Sequence, residues 1–94
     1  MPSWLKDMIY QVSFGVDLEN DTYNWFFGFK DLKRDLNWTN SECTSRVSWL
    51  IDNGYATRNY VEDGMKKRTH WRYPYVLTDK GMEIEESFRT GANH

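Results

Sequence analysis

The chain has 94 residues, enough for one domain and too few for two. Its 12 Lys and Arg against 14 Asp and Glu leave a formal net charge of -2, and no run approaches the roughly 20 apolar residues that a membrane-spanning helix needs. Five Trp, six Tyr and five Phe argue against disorder, because each such ring buries on the order of 150–250 Å² and lets a short chain build a core.

Leu5, Met8, Ile9 and Val12 recur at helical spacing with Trp4 beside them, which predicts a helix over 3–14 with Ser3 as its N-cap. Gly15 and the polar run 17–22 predict a loop. Acids at Asp17, Glu19 and Asp21 give that run a superficial likeness to a calcium loop, but it lacks the central Gly, and Gly28 stands where the closing Glu belongs. The aromatic stretch that follows predicts a brief strand over 25–27. Residues 29–37 read as a helix with Phe29, Leu32 and Leu36 on one face and Lys30, Lys33 and Arg34 towards the other.

Thr39-Asn40-Ser41-Glu42 is a capping box, in which the Thr39 hydroxyl and the Glu42 carboxylate each accept from the other residue's backbone N–H. The helix it opens, predicted over 41–53, carries Cys43, Val47, Leu50 and Ile51 on one stripe. At about 100° per residue the opposite face holds Ser41, Ser45, Ser48 and Asp52, with Thr44 and Arg46 flanking it and an exposed Trp49 at its border. Asn53-Gly54 supplies a left-handed stop. Residues 55–61 alternate as a strand, Glu62-Asp63-Gly64 is a turn signal, and 72–77 is a second strand that Pro74 restricts to an edge or to its entry. The basic stretch 65–71 lies between them as a hairpin tip. Thr78 and Asp79 cap a last helix to about Phe88, and the tail 89–94 is expected to fray.

Charge is unevenly spread. Residues 1–29 set Lys6 against Asp7, Asp17, Glu19 and Asp21, whereas 64–76 hold Lys66, Lys67, Arg68 and Arg72 with no acid; beyond 77 Asp79, Glu83, Glu85 and Glu86 dominate again. A basic stripe between acidic flanks reads either as a solvated hairpin tip or as an element that contacts phosphates, since local charge decides where a polyanion docks.

The order is helix, short strand, helix, tight connection, helix, strand, basic hairpin, strand, helix. Two helices joined by a short turn, the second presenting small polar groups, suit a major groove, and a cationic hairpin after them can lie along phosphates. Phe29-Lys30-Asp31-Leu32-Lys33-Arg34-Asp35-Leu36, with Arg46-Val47-Ser48-Trp49-Leu50-Ile51-Asp52-Asn53-Gly54-Tyr55, resembles the winged helix-turn-helix core of small transcriptional regulators. Tyr75-Val76-Leu77-Thr78-Asp79-Lys80-Gly81 resembles the signature that ends their wing. The similarity is to the HxlR, PadR and MarR-type regulators and covers roughly residues 28–85.

The resemblance implies an α+β, mostly α, winged helix-turn-helix domain spanning 1–94, its core over about 23–88: a three-helix core, a β-hairpin wing and flanking terminal helices. It makes 41–53 the recognition helix, 62–73 the wing and 29–37 the buttressing helix. It further implies a cytoplasmic homodimer paired through the terminal helices, 3–14 and 79–88. The expected ligand is double-stranded DNA, in sequence-specific transcriptional regulation. Ser41, Thr44, Ser45 and Ser48 would meet base edges or phosphates, and Arg46 a guanine or a phosphate. Lys66, Lys67, Arg68, His70 and Arg72, with Lys30, Lys33 and Arg34, would neutralise phosphates. The alternative is a protein-interaction or nucleic-acid-mimic module on the same scaffold, suggested by the acidic flanks and Trp49.

Enzyme chemistry finds little support. His70, His94 and one Cys make no metal set, Gly54, Gly64 and Gly81 form no phosphate-cradling loop, and Cys43 lies on the apolar stripe. No cofactor is expected. A small-molecule effector would have no separate domain to occupy. The N-terminus lacks the features of a secretory signal, which makes Asn20-Asp21-Thr22 and Asn37-Trp38-Thr39 chance glycosylation matches. Trp4, Phe14, Trp25, Phe26, Phe27, Trp38 and Phe88 exceed what one small core is expected to hide, and the surplus suggests a protein interface, with a homodimer as the simplest case and another protein partner as the alternative.

Overall fold

The computed structural model describes residues 1–17 and 22–89; positions 18–21 of the expected loop 17–22, and the tail beyond 89, lie outside the described residues. The first helix, α1 (Ser3–Gln11), follows from its apolar spacing and buries Leu5, Met8 and Ile9. Its N-cap is Pro2, not Ser3, and it stops short of Phe14. Val12 turns extended, and its N–H donates to the Met8 carbonyl at 3.2 Å. The Ser13 N–H then donates to Asp35 Oδ2 at 2.8 Å, and Phe14 leaves the helix to pack on Trp25 and Phe27.

What the sequence presents as loop contains a strand. β1 (Gly15–Asp17) pairs antiparallel with β2 (Thr22–Phe27), which is twice as long as expected. Gly15 makes this possible: a Cβ there would lie 2.7 Å from the Tyr73 ring, which covers the strand.

Two helices follow with a three-residue connection, α2 (Phe29–Leu36) and α3 (Asn40–Asp52). Asn37, left-handed at φ 58°, ends the first. The capping box at Thr39 forms as expected: the Glu42 N–H donates to Thr39 Oγ1 at 3.1 Å and the Thr39 N–H to Glu42 Oε1 at 2.9 Å. At the other end the Tyr55 N–H donates to the Leu50 carbonyl and the Gly54 N–H to that of Ile51, with Gly54 at φ 80°. This is a Schellman stop, which needs glycine at that position.

The run 55–61 is two strands. β3 (Ala56–Arg58) and β4 (Tyr60–Asp63) are separated by Asn59, whose N–H donates to the Pro74 carbonyl, whose side-chain amide donates to the Tyr73 carbonyl, and whose own carbonyl accepts from the His70 N–H, each at 2.8 Å. β4 pairs only with β5 (Lys66–Thr69), around a two-residue turn, Gly64-Met65, with Gly64 at φ 69°. Glu62 and Asp63 therefore belong to the ladder, and the hairpin tip is shorter than the sequence suggests. β6 (Tyr75–Leu77) is central in a four-stranded sheet of order β1-β2-β6-β3, and Pro74 stands at its entry, where no ladder bond is lost.

The last helix, α4 (Asp79–Arg89), is clamped to the end of α3. Thr78 Oγ1 donates to the Gly54 carbonyl at 2.6 Å and accepts from the Gly81 N–H at 3.3 Å, and Lys80 Nζ donates to the Asn53 carbonyl at 2.8 Å. A Cβ at Gly81 would collide with the Tyr55 carbonyl oxygen. The Leu-Thr-Asp-Lys-Gly element is thus a local packing device. Among the described residues the result is an α+β arrangement of four helices and antiparallel strands around one cluster: Leu5, Met8, Ile9, Val12, Phe27, Leu32, Trp38, Cys43, Val47, Leu50, Ala56 and Leu77. Residues before 23 supply a third of that cluster.

Candidate nucleic-acid interface

On α3, Ser41, Thr44, Ser45, Ser48 and Asp52 are all exposed on the side away from Cys43, Val47 and Leu50. Arg46 does not join them. It is 26% exposed, pairs with Glu42 at 3.1 Å, and lays its guanidinium 4.7 Å from the Trp38 ring centroid and 5.6 Å from that of Trp4. The Glu42-to-Arg46 spacing of one helical turn is the signal for this pairing. Trp49 is not exposed either. It meets Trp4 edge-on at 5.5 Å and stacks on Tyr55 at 5.5 Å with an 11° interplanar angle. The surplus aromatics are largely spent in this way inside the chain: Phe14 and Trp25 pack on each other and against the core, Phe26 stacks on Tyr73, and Phe27 is fully buried.

On α2, Lys30 and Lys33 are exposed and make no ion pair among the described residues. Arg34 is committed: two bonds of 2.7 Å reach Asp35, and a third contact reaches Asp31 at 3.2 Å. The Arg34 hydrogen bonds, assisted by the Ser13 N–H, pull Asp35 down to about 2. The unfolded chain keeps an ordinary Asp near pH 3.9. Because the folded value is the lower one, the Asp35 contribution is complete above the unfolded value and disappears as pH falls through the folded one. Urea midpoints should therefore decline between about pH 4 and pH 2, and Asp35→Asn should flatten part of that decline. An unchanged acid limb in the variant would refute the assignment.

Asp31, unremarked in the sequence, is the one buried charged residue among those described, at 1% exposure. Its carboxylate accepts from Arg72 at 2.9 and 2.8 Å in a bidentate pair, and from the Gly28 N–H at 2.9 Å. Burial alone would raise its pKa. The Arg72 hydrogen bonds, the Gly28 N–H and the charges of Arg72 and Arg34 outweigh that and hold it below its ordinary value. Arg72 is therefore a strut between α2 and the segment leading into β6. Two further backbone donors, the N–H groups of Arg72 and Tyr73, end on His70 Nδ1 at 3.1 and 3.0 Å. His70 is a joint at the root of the hairpin.

Lys66, Lys67 and Arg68 are exposed on β5, but the ladder places acids across from them: Glu62 faces Lys67 and Asp63 faces Lys66. Arg68 reaches Asp63 at 3.3 Å, with both side chains about two-thirds exposed, and Lys67 lies 4.7 Å from the Tyr60 ring centroid. Surface pairs of this kind hold little energy and release their cations readily.

A missed residue completes the surface. Arg58 on β3 is exposed, sits 5.8 Å from the Tyr75 ring centroid, and lines a cleft of about 330 Å³ together with Thr44, Ser48 and Asp52 of α3 and with Phe29 and Tyr75. Its basic side chain two positions ahead of the hairpin strand is the signal that could have found it. The structure thus brings Thr44, Ser48 and Asp52 to the strand end that carries Arg58, and engages Arg46, Arg72, His70 and the still exposed Arg34 in contacts within the chain.

Cys43 is fully buried and burial pushes its thiol up, away from the thiolate that nucleophilic chemistry uses. Among the described residues no three His, Cys, Asp or Glu gather as a metal site, and no helix is long and apolar enough to cross a membrane. Compared with family models, curated proteins and solved structures, the chain matches none.

Proposed function

We propose that the chain is a winged helix-turn-helix protein that binds double-stranded DNA as a small transcriptional regulator, with α3 in the major groove and the β4–β5 hairpin as the wing on neighbouring phosphates. The observation that carries this reading is the shared cleft of Thr44, Ser48 and Arg58, because it joins the hydroxyl-bearing face of α3 to the strand from which the basic hairpin springs. Ser41, Thr44, Ser45 and Ser48 offer short donors and acceptors to base edges. Lys30 and Lys33 of α2, Arg58 of β3 and Lys66, Lys67 and Arg68 of β5 are exposed cations that could meet phosphates. A two-fold dimer would read a palindrome with half-sites about 34 Å apart. The rival protein-interaction reading loses its cue at Trp49, which is packed inside the chain.

The test is duplex binding across a salt series. If all six cations engage, affinity should fall by roughly three orders of magnitude between 50 and 200 mM salt. Ser45→Glu, at an exposed position, should weaken duplex binding by tenfold or more, about 1.4 kcal/mol, with unchanged helix content. Salt-independent retention, or a Ser45→Glu protein that binds as the parent does, would overturn the proposal.

A further inference from the structure

A second cavity lies at the root of the hairpin, on residues that the duplex-binding reading leaves unused. It measures about 480 Å³, within the range of small-molecule sites, and its walls are Phe26, Val61, His70, Trp71 and Tyr73, with Asn59 and Arg72 beside them. Four of these rings form a staircase of nearly parallel faces. Phe26 and Tyr73 are inclined at 29° with centroids 6.3 Å apart, Tyr73 and His70 at 24° and 6.0 Å, and His70 and Trp71 at 17° and 6.1 Å. The staircase ends in solvent: Trp71 is 84% exposed, an indole in a chain whose other described tryptophans are packed. Its ring is therefore open to a flat partner on the cavity side.

The polar groups specify the occupant further. Arg72 is the single formal charge on the wall, and its guanidinium is already neutralised by the bidentate pair with Asp31. His70 Nδ1 is committed as an acceptor to two backbone N–H groups, so the imidazole proton resides on Nε2, which leaves a hydrogen-bond donor on that ring. A site of parallel π-faces, no uncompensated charge and a ring donor suits a flat, uncharged, nitrogen-containing ring. We propose that this cavity takes a neutral planar heteroaromatic ring of nucleobase type, stacked on the open face of Trp71, with Tyr73 and Phe26 as the adjoining wall. The ring can come from a free nucleoside or from an unpaired base of a strand. The proposal does not rest on duplex recognition by α3, and its site shares no residue with the α3 face.

The test uses the full chain, with adenosine and a short single-stranded oligodeoxyadenylate as probes in equilibrium dialysis, and with the tryptophan indole N–H resonances reporting where they bind. Expected is saturable binding that moves the Trp71 resonance, is weakened on the order of tenfold by Trp71→Ala, and is kept within a few-fold by Trp71→Phe, as stacking on an aromatic face requires. Ser45→Glu should leave it untouched, which separates failure here from failure of the duplex reading. Binding of adenosine that depends on Trp71 supports a free ligand; Trp71-dependent binding of the oligonucleotide alone supports an unpaired base in a strand. Binding of neither probe, or binding indifferent to Trp71→Ala in a protein of unchanged circular dichroism, overturns the proposal.

Discussion

Replacing Asp31 with alanine should lower the unfolding free energy by about 3 kcal/mol, the lower part of the range for breaking a buried ion pair from one side. The lower part applies because Arg72 keeps 20% of its side chain in contact with solvent and can recover some hydration when its partner is lost. The buried Gly28 N–H has no such recourse. It would lose its acceptor at the first turn of α2. Asp31→Asn should cost less, since an amide oxygen can still accept from Gly28, but it loses the charge that faces Arg72. Urea unfolding of the three proteins measures both effects, and a loss below about 1 kcal/mol for the alanine variant would show that the pair contributes little beyond its own desolvation. Native-state hydrogen exchange should place the damage at 70–74, where Arg72 ties the hairpin root to α2.

The second large effect concerns DNA. Removing Lys66, Lys67 and Arg68 together should cut affinity for any duplex by about two orders of magnitude at 0.1 M salt and lower the salt slope by roughly 2.7, the loss of three phosphate contacts. The reduction should be uniform across sequences, because phosphates carry none of the base code. Folding stability should change by less than about 0.5 kcal/mol, since all three side chains are exposed and their pairing with Asp63 and Glu62 is at the surface. A variant with the parental salt slope would remove the hairpin from the proposed interface.

The helix pair and its stops were legible because their chemistry is local. The capping box joins residues three apart, the Schellman stop needs one glycine in a fixed place, and the apolar stripe of α3 repeats within a turn. The sheet was harder. β1 has three residues and begins with glycine, so no alternation announces it, and the division of 55–61 at Asn59 depends on bonds to Tyr73, Pro74 and His70 that no short window contains. The candidate site was half legible for the same reason. The exposed hydroxyls of α3 follow from helical geometry, whereas Arg72 looked like one more cation because its partner is 41 residues away. Arg46 differs, because its partner Glu42 stands one turn back and the pairing is within reach of helical spacing.

The burial of α1 bears on how copies of this chain could come together. Leu5, Met8 and Ile9 face the interior of their own subunit, so the helix is no loose arm awaiting a neighbour to complete it. If two copies pair as proposed, the part of the contact made by α1 would be a surface already present in each folded chain. For such a pair refolding should be first order in protein, and dilution should separate the copies without melting them.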